Sequence, residues 1–185
     1  SRMSLLHKAR PVMSQLARQC NETIYLVVQR DDDALFLEMA DNDQKVKIVS
    51  LNGRRFPLDS CAAGKALLAF NNATNKERVE QLKSSTREEI NTCRKQGFSL
   101  DRDGVGEDST CIAVPLFNGE GQLCGSLAMV GPSFRMDNER INNQLLPAIN
   151  AAGEMASARL GHIGYGLKKT SARRESARET VSTKK

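Results

Sequence analysis

Two apolar runs, "CIAVPLF" (Cys111–Phe117) and "QLCGSLAMVG" (Gln122–Gly131), flank the turn Asn118-Gly119-Glu120-Gly121. Paired apolar runs on either side of a short Asn/Gly turn are the strongest local signal for an antiparallel hairpin. That hairpin constrains the rest of the chain, because a sheet seeded this way grows by antiparallel neighbours. "TIYLVV" (Thr23–Val28) and "ALFLEM" (Ala34–Met39) supply two more strands, joined by a turn at Arg30-Asp31-Asp32-Asp33. "KVKIVS" (Lys45–Ser50) alternates as a half-buried strand does, and Asn52-Gly53 turns the chain after it. Short sequential strands with adjacent turns favour an antiparallel sheet with helices to one side, an α+β arrangement.

The helices carry their own marks. From Leu5 to Gln19 apolar residues recur at three and four, with Pro11 marking a kink or the true start. Thr74-Asn75-Lys76-Glu77 and Thr86-Arg87-Glu88-Glu89 fit capping boxes, and Gly97 fits a helix stop. Asp137 caps a last, long helix with a stripe of Ile141, Leu145, Leu146, Ile149, Ala152, Ala156 and Leu160, ended by Gly161. There is no internal repeat.

Charge is distributed unevenly. The formal net charge is +5, and from Gly166 to Lys185 seven Lys/Arg face two Glu, so the remaining body is neutral. A pI near 9 therefore describes the tail rather than a nucleic-acid-binding surface on the folded part. The tail is almost free of apolar residues, which suits solvated disorder or an exposed helix. Five cysteines (Cys20, Cys61, Cys93, Cys111, Cys124) are odd in number and never spaced Cys-x-x-Cys. That spacing argues against a disulfide framework or a zinc cage and fits a reducing cytoplasm. Only His7 and His162 could serve His-based chemistry, and they lie near opposite ends. No motif calls for a metal or cofactor, and no apolar run approaches a membrane span. A start at Ser rather than Met leads us to expect native residues upstream.

Three stretches invite chemistry. "FPLDSCAAGKALLAF" (Phe56–Phe70) places Gly64-Lys65 at a helix start, but Asp59 and Ala66 stand where a P-loop needs Gly and Ser/Thr. A weaker anion site remains open, since Ser60 to Gly64 are small and a helix start offers free N–H groups. Tight packing of the helix on the sheet explains the same small residues. "DRDGVGED" (Asp101–Asp108) has Ile112 where an EF-hand needs its twelfth-position Glu, and reads as a solvated acidic loop. Cys61 and Cys111 have no histidine nearby in sequence and read as buried small hydrophobes.

Taken together, "GRRFPLDSCAAGKALLAF" and "RKQGFSLDRDGVGEDSTCIAVPLFNGEGQLCGSLAMVGP" resemble the effector-binding domain of IclR-type bacterial transcriptional regulators. The similarity runs from about Leu5 to Leu160 and includes "RQCNETIYLVVQRDDDALFLEMAD". It implies a sheet flanked by helices, of GAF/profilin type, and division into a linker helix (1–20), an effector-binding domain (21–161) and a basic tail (162–185). It also implies a winged helix–turn–helix upstream as the only DNA-binding part, a homodimer or homotetramer, no membrane partner, and a small-molecule carboxylate effector.

Carried over by residue, the resemblance places backbone donors at Ala62 and Ala63, an acid and a thiol at Asp101 and Cys111, and apolar lining at Ile48 and Phe56. The family's two pocket serines fall on Ala128 and Val130, and the acid usual three after Asp101 is Gly104. The reading is a non-enzymatic sensor, a repressor or activator by way of its DNA-binding part. The alternatives are a GAF-like sensor outside transcription and a small enzyme using Asp101 and Cys111.

Overall fold

The computed structural model describes residues 1–70 and 73–164, so the basic tail from residue 165 onward lies outside the described residues. Helix α1 spans Arg2–Cys20, with Ser1 capping it through Ser4 N–H and Pro11 inside it rather than at its start. Strands β1 (Thr23–Arg30) and β2 (Asp33–Ala40) follow as the expected hairpin. Next come β3 (Arg55–Pro57), α2 (Ala62–Phe70), α3 (Ala73–Glu80) and α4 (Ser84–Gln96). Strands β4 (Ser99–Arg102), β5 (Ser109–Phe117) and β6 (Leu123–Pro132) lead to a short α5 (Asn138–Arg140) and the long α6 (Leu146–Arg159).

All six strands form one antiparallel sheet in the order β3-β2-β1-β6-β5-β4. The strong hairpin of the sequence is β5–β6, near the centre. Both strands are buried along nearly their whole length. A strand buried on both faces needs a layer on each side, and helices do cover both, which corrects the one-sided arrangement. On one face α1 and α6 pack over Ile24, Leu26, Ile112, Val114, Leu127 and Met129. On the other, α2 and α4 pack over Tyr25, Val27, Cys111, Ala113, Ala128 and Val130. The strand period of two sorts neighbours onto opposite faces, as alternate residues must be.

Several local expectations fail for physical reasons. Lys45–Ser50 is not a strand. The edge of β2 that it would extend is taken by β3, through Asp33↔Pro57, Ala34↔Phe56 and Leu35↔Arg55. The segment is instead a loop held by Lys47 Nζ, which donates to Asp41 (3.1 Å) and to the Asn42 carbonyl (2.9 Å), leaving Val49 82% exposed. Thr86 caps nothing, because α4 begins at Ser84 after Lys83, which makes no side-chain cap. Helix α3 likewise begins before Thr74.

Gly97 does stop α4, at φ 87° and with its N–H on the Cys93 carbonyl. Asp137 caps the last helical region by accepting from Arg140 N–H at 2.8 Å. That region is not uniform, since Ile141–Leu145 is a π turn. Leu146 N–H reaches the Ile141 carbonyl, five residues back, and Pro147 follows with no N–H to continue an α ladder.

Candidate functional site at the start of helix α2

The structure brings the expected site residues to one face of the sheet. Register places Asp101 opposite Cys111, and Cys111 opposite Val130, so the three form a row across β4, β5 and β6. The next row on the same face holds Ala113, Ala128 and Tyr25. Ala62 and Ala63, at the first turn of α2, pack onto these rows with no exposed surface. Ile48 and Phe56 are half-buried at the margin of the same cluster. Phe56 stands edge-on to Phe36 at 5.3 Å, with Arg54 over its ring.

Helix starts leave N–H groups without partners, and here each meets a group of the protein itself. Ala62 N–H donates to Asp101 Oδ2. The Ala63 N–H lies near both the Cys61 and the Cys111 thiols, and Gly64 N–H reaches Cys61 Sγ at 3.5 Å. Lys65 N–H bonds the Cys61 carbonyl at 2.9 Å. The anion at this helix start is thus the side chain of Asp101, while two donors are matched only to sulfur, a weak acceptor.

Asp101 is unusual in a second respect. Its Oδ1 is the one buried side-chain oxygen or nitrogen among the described residues without a hydrogen-bond partner. Burial raises its pKa above the ordinary carboxylate value, opposed by the Ala62 N–H, then by the nearby Lys65 ammonium and by the Gly104 N–H. That last N–H approaches the carboxyl without meeting the geometry of a full hydrogen bond to Oδ1. Gly104 lies directly against this carboxyl, and a Cβ there would sit 2.4 Å from Oδ2. The position where the family carries an acid is therefore one where no side chain fits beside Asp101 as it stands.

Gly64-Lys65 proves to be structural. A Cβ on Gly64 would fall 2.2 Å from the Leu58 carbonyl oxygen, so glycine lets α2 approach the preceding turn. Lys65 pairs with Glu89 of α4, its side chain only 15% exposed. Sequence reasoning missed Glu89 because the partnership joins two helices far apart in the chain. It also missed Tyr25, whose hydroxyl accepts from Leu51 N–H at 3.0 Å within this cluster. Strand alternation separates Tyr25 from Ile24 and Leu26, but only the register shows which face holds the site.

The thiols are held neutral. Burial pushes Cys61 up to about 12 and Cys111 well above its ordinary value, the reverse of an activated nucleophile. The acidic loop after Asp101 closes on itself, with Asp103 Oδ1 accepting from Asp108 N–H at 2.7 Å. Among the described residues no group of three His, Cys, Asp or Glu could hold a metal ion. No described helix is long and apolar enough to cross a membrane.

Cavities of about 550, 360 and 580 Å³ lie beside Phe117 and Gly153, beside Leu5 and Gly125, and beside Glu89 and Phe98. The last of these is lined in part by Lys65 and Glu89, the two charges that act on Asp101, and by Leu100 beside it, while Ala62 and Ala63 themselves have no exposed surface.

Comparison with known proteins follows the same line. The model of the bacterial transcriptional regulator IclR C-terminal family matches residues 1–158. The HTH-type transcriptional regulator KdgR of Escherichia coli K12 is 29% identical over 179 residues, which cover 88% of this chain and 66% of KdgR. BhcR, an HTH-type transcriptional regulator of Paracoccus denitrificans, is 27% identical, covering 84% of this chain and 60% of that protein. The chain thus spans under two thirds of the length of these relatives. The crystal structure of the C-terminal domain of E. coli KdgR superposes with a TM-score of 0.73 at 27% identity, covering 86% of this chain and 99% of that one. The antiparallel sheet with helices on both faces is the GAF/profilin-like α+β fold of these domains. The chain belongs to the IclR family of bacterial transcriptional regulators, as their C-terminal domain.

Proposed function

We propose that this domain senses a small organic acid at the start of α2 and passes the occupancy of that site to a DNA-binding part of the full regulator. The observation that carries this reading is the pairing of unspent groups there. Two α2 amides face only thiols, and one buried Asp101 oxygen has no partner. A carboxylate would give the amides a charged acceptor, which such a bond favours roughly twofold over a neutral one. A small acid is also the ligand class that the family resemblance implied.

The same site argues against turnover. Its thiols are protonated, and no histidine joins Asp101 and Cys111. The relatives named as HTH-type regulators favour a role in transcription over a GAF-like sensor outside it. DNA contact through an upstream winged helix–turn–helix, and assembly as a homodimer or homotetramer, complete the proposal. Effector binding would then bias the spacing of two DNA-reading units.

A thermal-shift screen of small carboxylates tests it, because a ligand bound only by the folded state raises Tm with its concentration over Kd. Saturable stabilisation by at least one monocarboxylate, weakened by Ala63→Pro (which removes an amide donor), is the expected result. Stabilisation by no acid, or one indifferent to the α2 start, would overturn the reading.

A further inference from the structure

Asp101 already sits where an effector carboxylate would bind, with Oδ2 on the Ala62 amide and Oδ1 buried without a partner. The groups facing it come from every neighbouring element. Lys65 of α2 is close enough to act on it, but that ammonium is already paired with Glu89 of α4, whose carboxylate is a like charge. Cys111 of β5 and Cys61 before α2 are neutral thiols, and behind Cys111 lies the Tyr25 phenol of β1. On its own strand, Arg102 is turned away, donating to Thr110 Oγ1, the Met136 carbonyl and Asn138 Oδ1. Among the described residues, the cations near the spot, Lys65 and Arg102, are both already paired. A second carboxylate on the Ala63 and Gly64 amides would stand beside the first in a part-buried site, where two close like charges do not both stay ionised.

Resting on the acid-sensing reading above, we infer that the effector carboxylate enters this site together with one proton, which the Asp101 and effector carboxyl pair then shares. No covalent bond is made or broken. The proton comes from solvent, and it lets one carboxyl donate to the other across the position where Asp101 Oδ1 now lacks a partner. The buried site thus gains one net charge fewer than the ligand carries. Upward displacement of the Asp101 pKa in the unliganded domain is in the direction this needs.

Calorimetric titration of this chain with sodium benzoate and with sodium pyruvate tests the inference. Each runs in a buffer of low and one of high ionisation enthalpy, phosphate and imidazole at about pH 6.5, phosphate and Tris at about pH 8. The expected result is a heat that differs between buffers by up to one proton's worth, with affinity falling by up to about tenfold per pH unit as pH rises. Asp101→Asn should give equal heats in both buffers and a flat pH profile. Binding by the unaltered protein with equal heats and no pH dependence overturns the proton linkage and leaves the acid-sensing reading standing. Proton uptake that persists in Asp101→Asn overturns the assignment to Asp101. Failure of both acids to bind at either pH overturns the acid-sensing reading and this inference with it. If the variant does not fold, the buffer comparison on the unaltered chain decides alone.

Discussion

The two faces of the sheet are built to different rules. Under α1 and α6 the face is filled mainly with Leu, Ile, Met and Val, and its few buried polar side chains, Thr110 and Ser157 among them, are spent on bonds within the protein. Under α2 and α4 the same strands present Ala, Cys and Val, with Tyr25 and Asp101 among them. Bulky aliphatic packing gives stability without specificity, since volume and patterning suffice there. Small side chains bring backbone donors close, and a buried carboxyl holds chemistry that packing alone would exclude. One sheet thus carries a face that holds the fold together and a face that can discriminate.

The largest test of this division is Leu127→Ala on the first face. Leu127 is fully buried, so its truncation should cost about 2–5 kcal/mol in urea unfolding. Acid binding should survive it at temperatures where the variant is folded, and a selective loss of binding would break the division. Gly64→Ala comes next, at about 1–3 kcal/mol for forcing a Cβ against the Leu58 carbonyl. Unlike Leu127→Ala, it should weaken acid binding in the same preparation, because it displaces the start of α2.

Val130→Ser is smaller, worth about 0.5–1.5 kcal/mol for one hydrogen bond to a ligand oxygen. With Ala128 and Val130 in place of hydroxyls, calorimetry should rank aromatic or branched acids above pyruvate, and Val130→Ser should narrow that gap. An unchanged ranking would remove both residues from the ligand wall. At the rim of the first face, Arg10→Ala breaks an exposed pair with Glu38 (2.7 Å) and should change stability by no more than about 0.2–1 kcal/mol.

A pH series compares the faces by direction alone. Because burial raises the Asp101 pKa in the folded state, its contribution to stability is greatest below the unfolded value and is lost as pH rises through the folded value. Asp101→Asn should therefore gain stability relative to the parent between acidic and neutral pH, read by urea midpoints. A difference that stays constant over that range would contradict the buried carboxyl.

The elements written in one continuous stretch were legible from sequence. The β5–β6 hairpin, β1–β2 and α1 each carry their own period and turn, and Gly97 and Asp137 end or begin helices by local geometry. What was not legible depended on competition between segments. Lys45–Ser50 alternates well but loses the β2 edge to Arg55–Pro57, three residues with no period to read. Strand β4 was missed because Ser99–Arg102 is four residues long and largely polar, and exists only through its register with β5. The site shows the same limit. Its residues were gathered by family likeness, whereas Asp101 on the Ala62 amide, Lys65 on Glu89 and the placement of Tyr25 are products of tertiary contact.

Glu22 stands at the joint between α1 and β1, wholly buried and gripped by Arg135 at 2.6 Å, with Arg140 at 3.6 Å. Arg140 also holds the Cys20 carbonyl at the end of α1, at 2.8 Å. The joint therefore behaves as a welded elbow: α1 cannot swing on its last residue without dragging β1 or opening a buried ion cluster. Three residues beyond the elbow, Tyr25 points to the opposite side of the same strand, onto the row that holds Ala113 and Ala128. Site and helix are in this sense the two ends of a short crank, separated by the thickness of a single sheet.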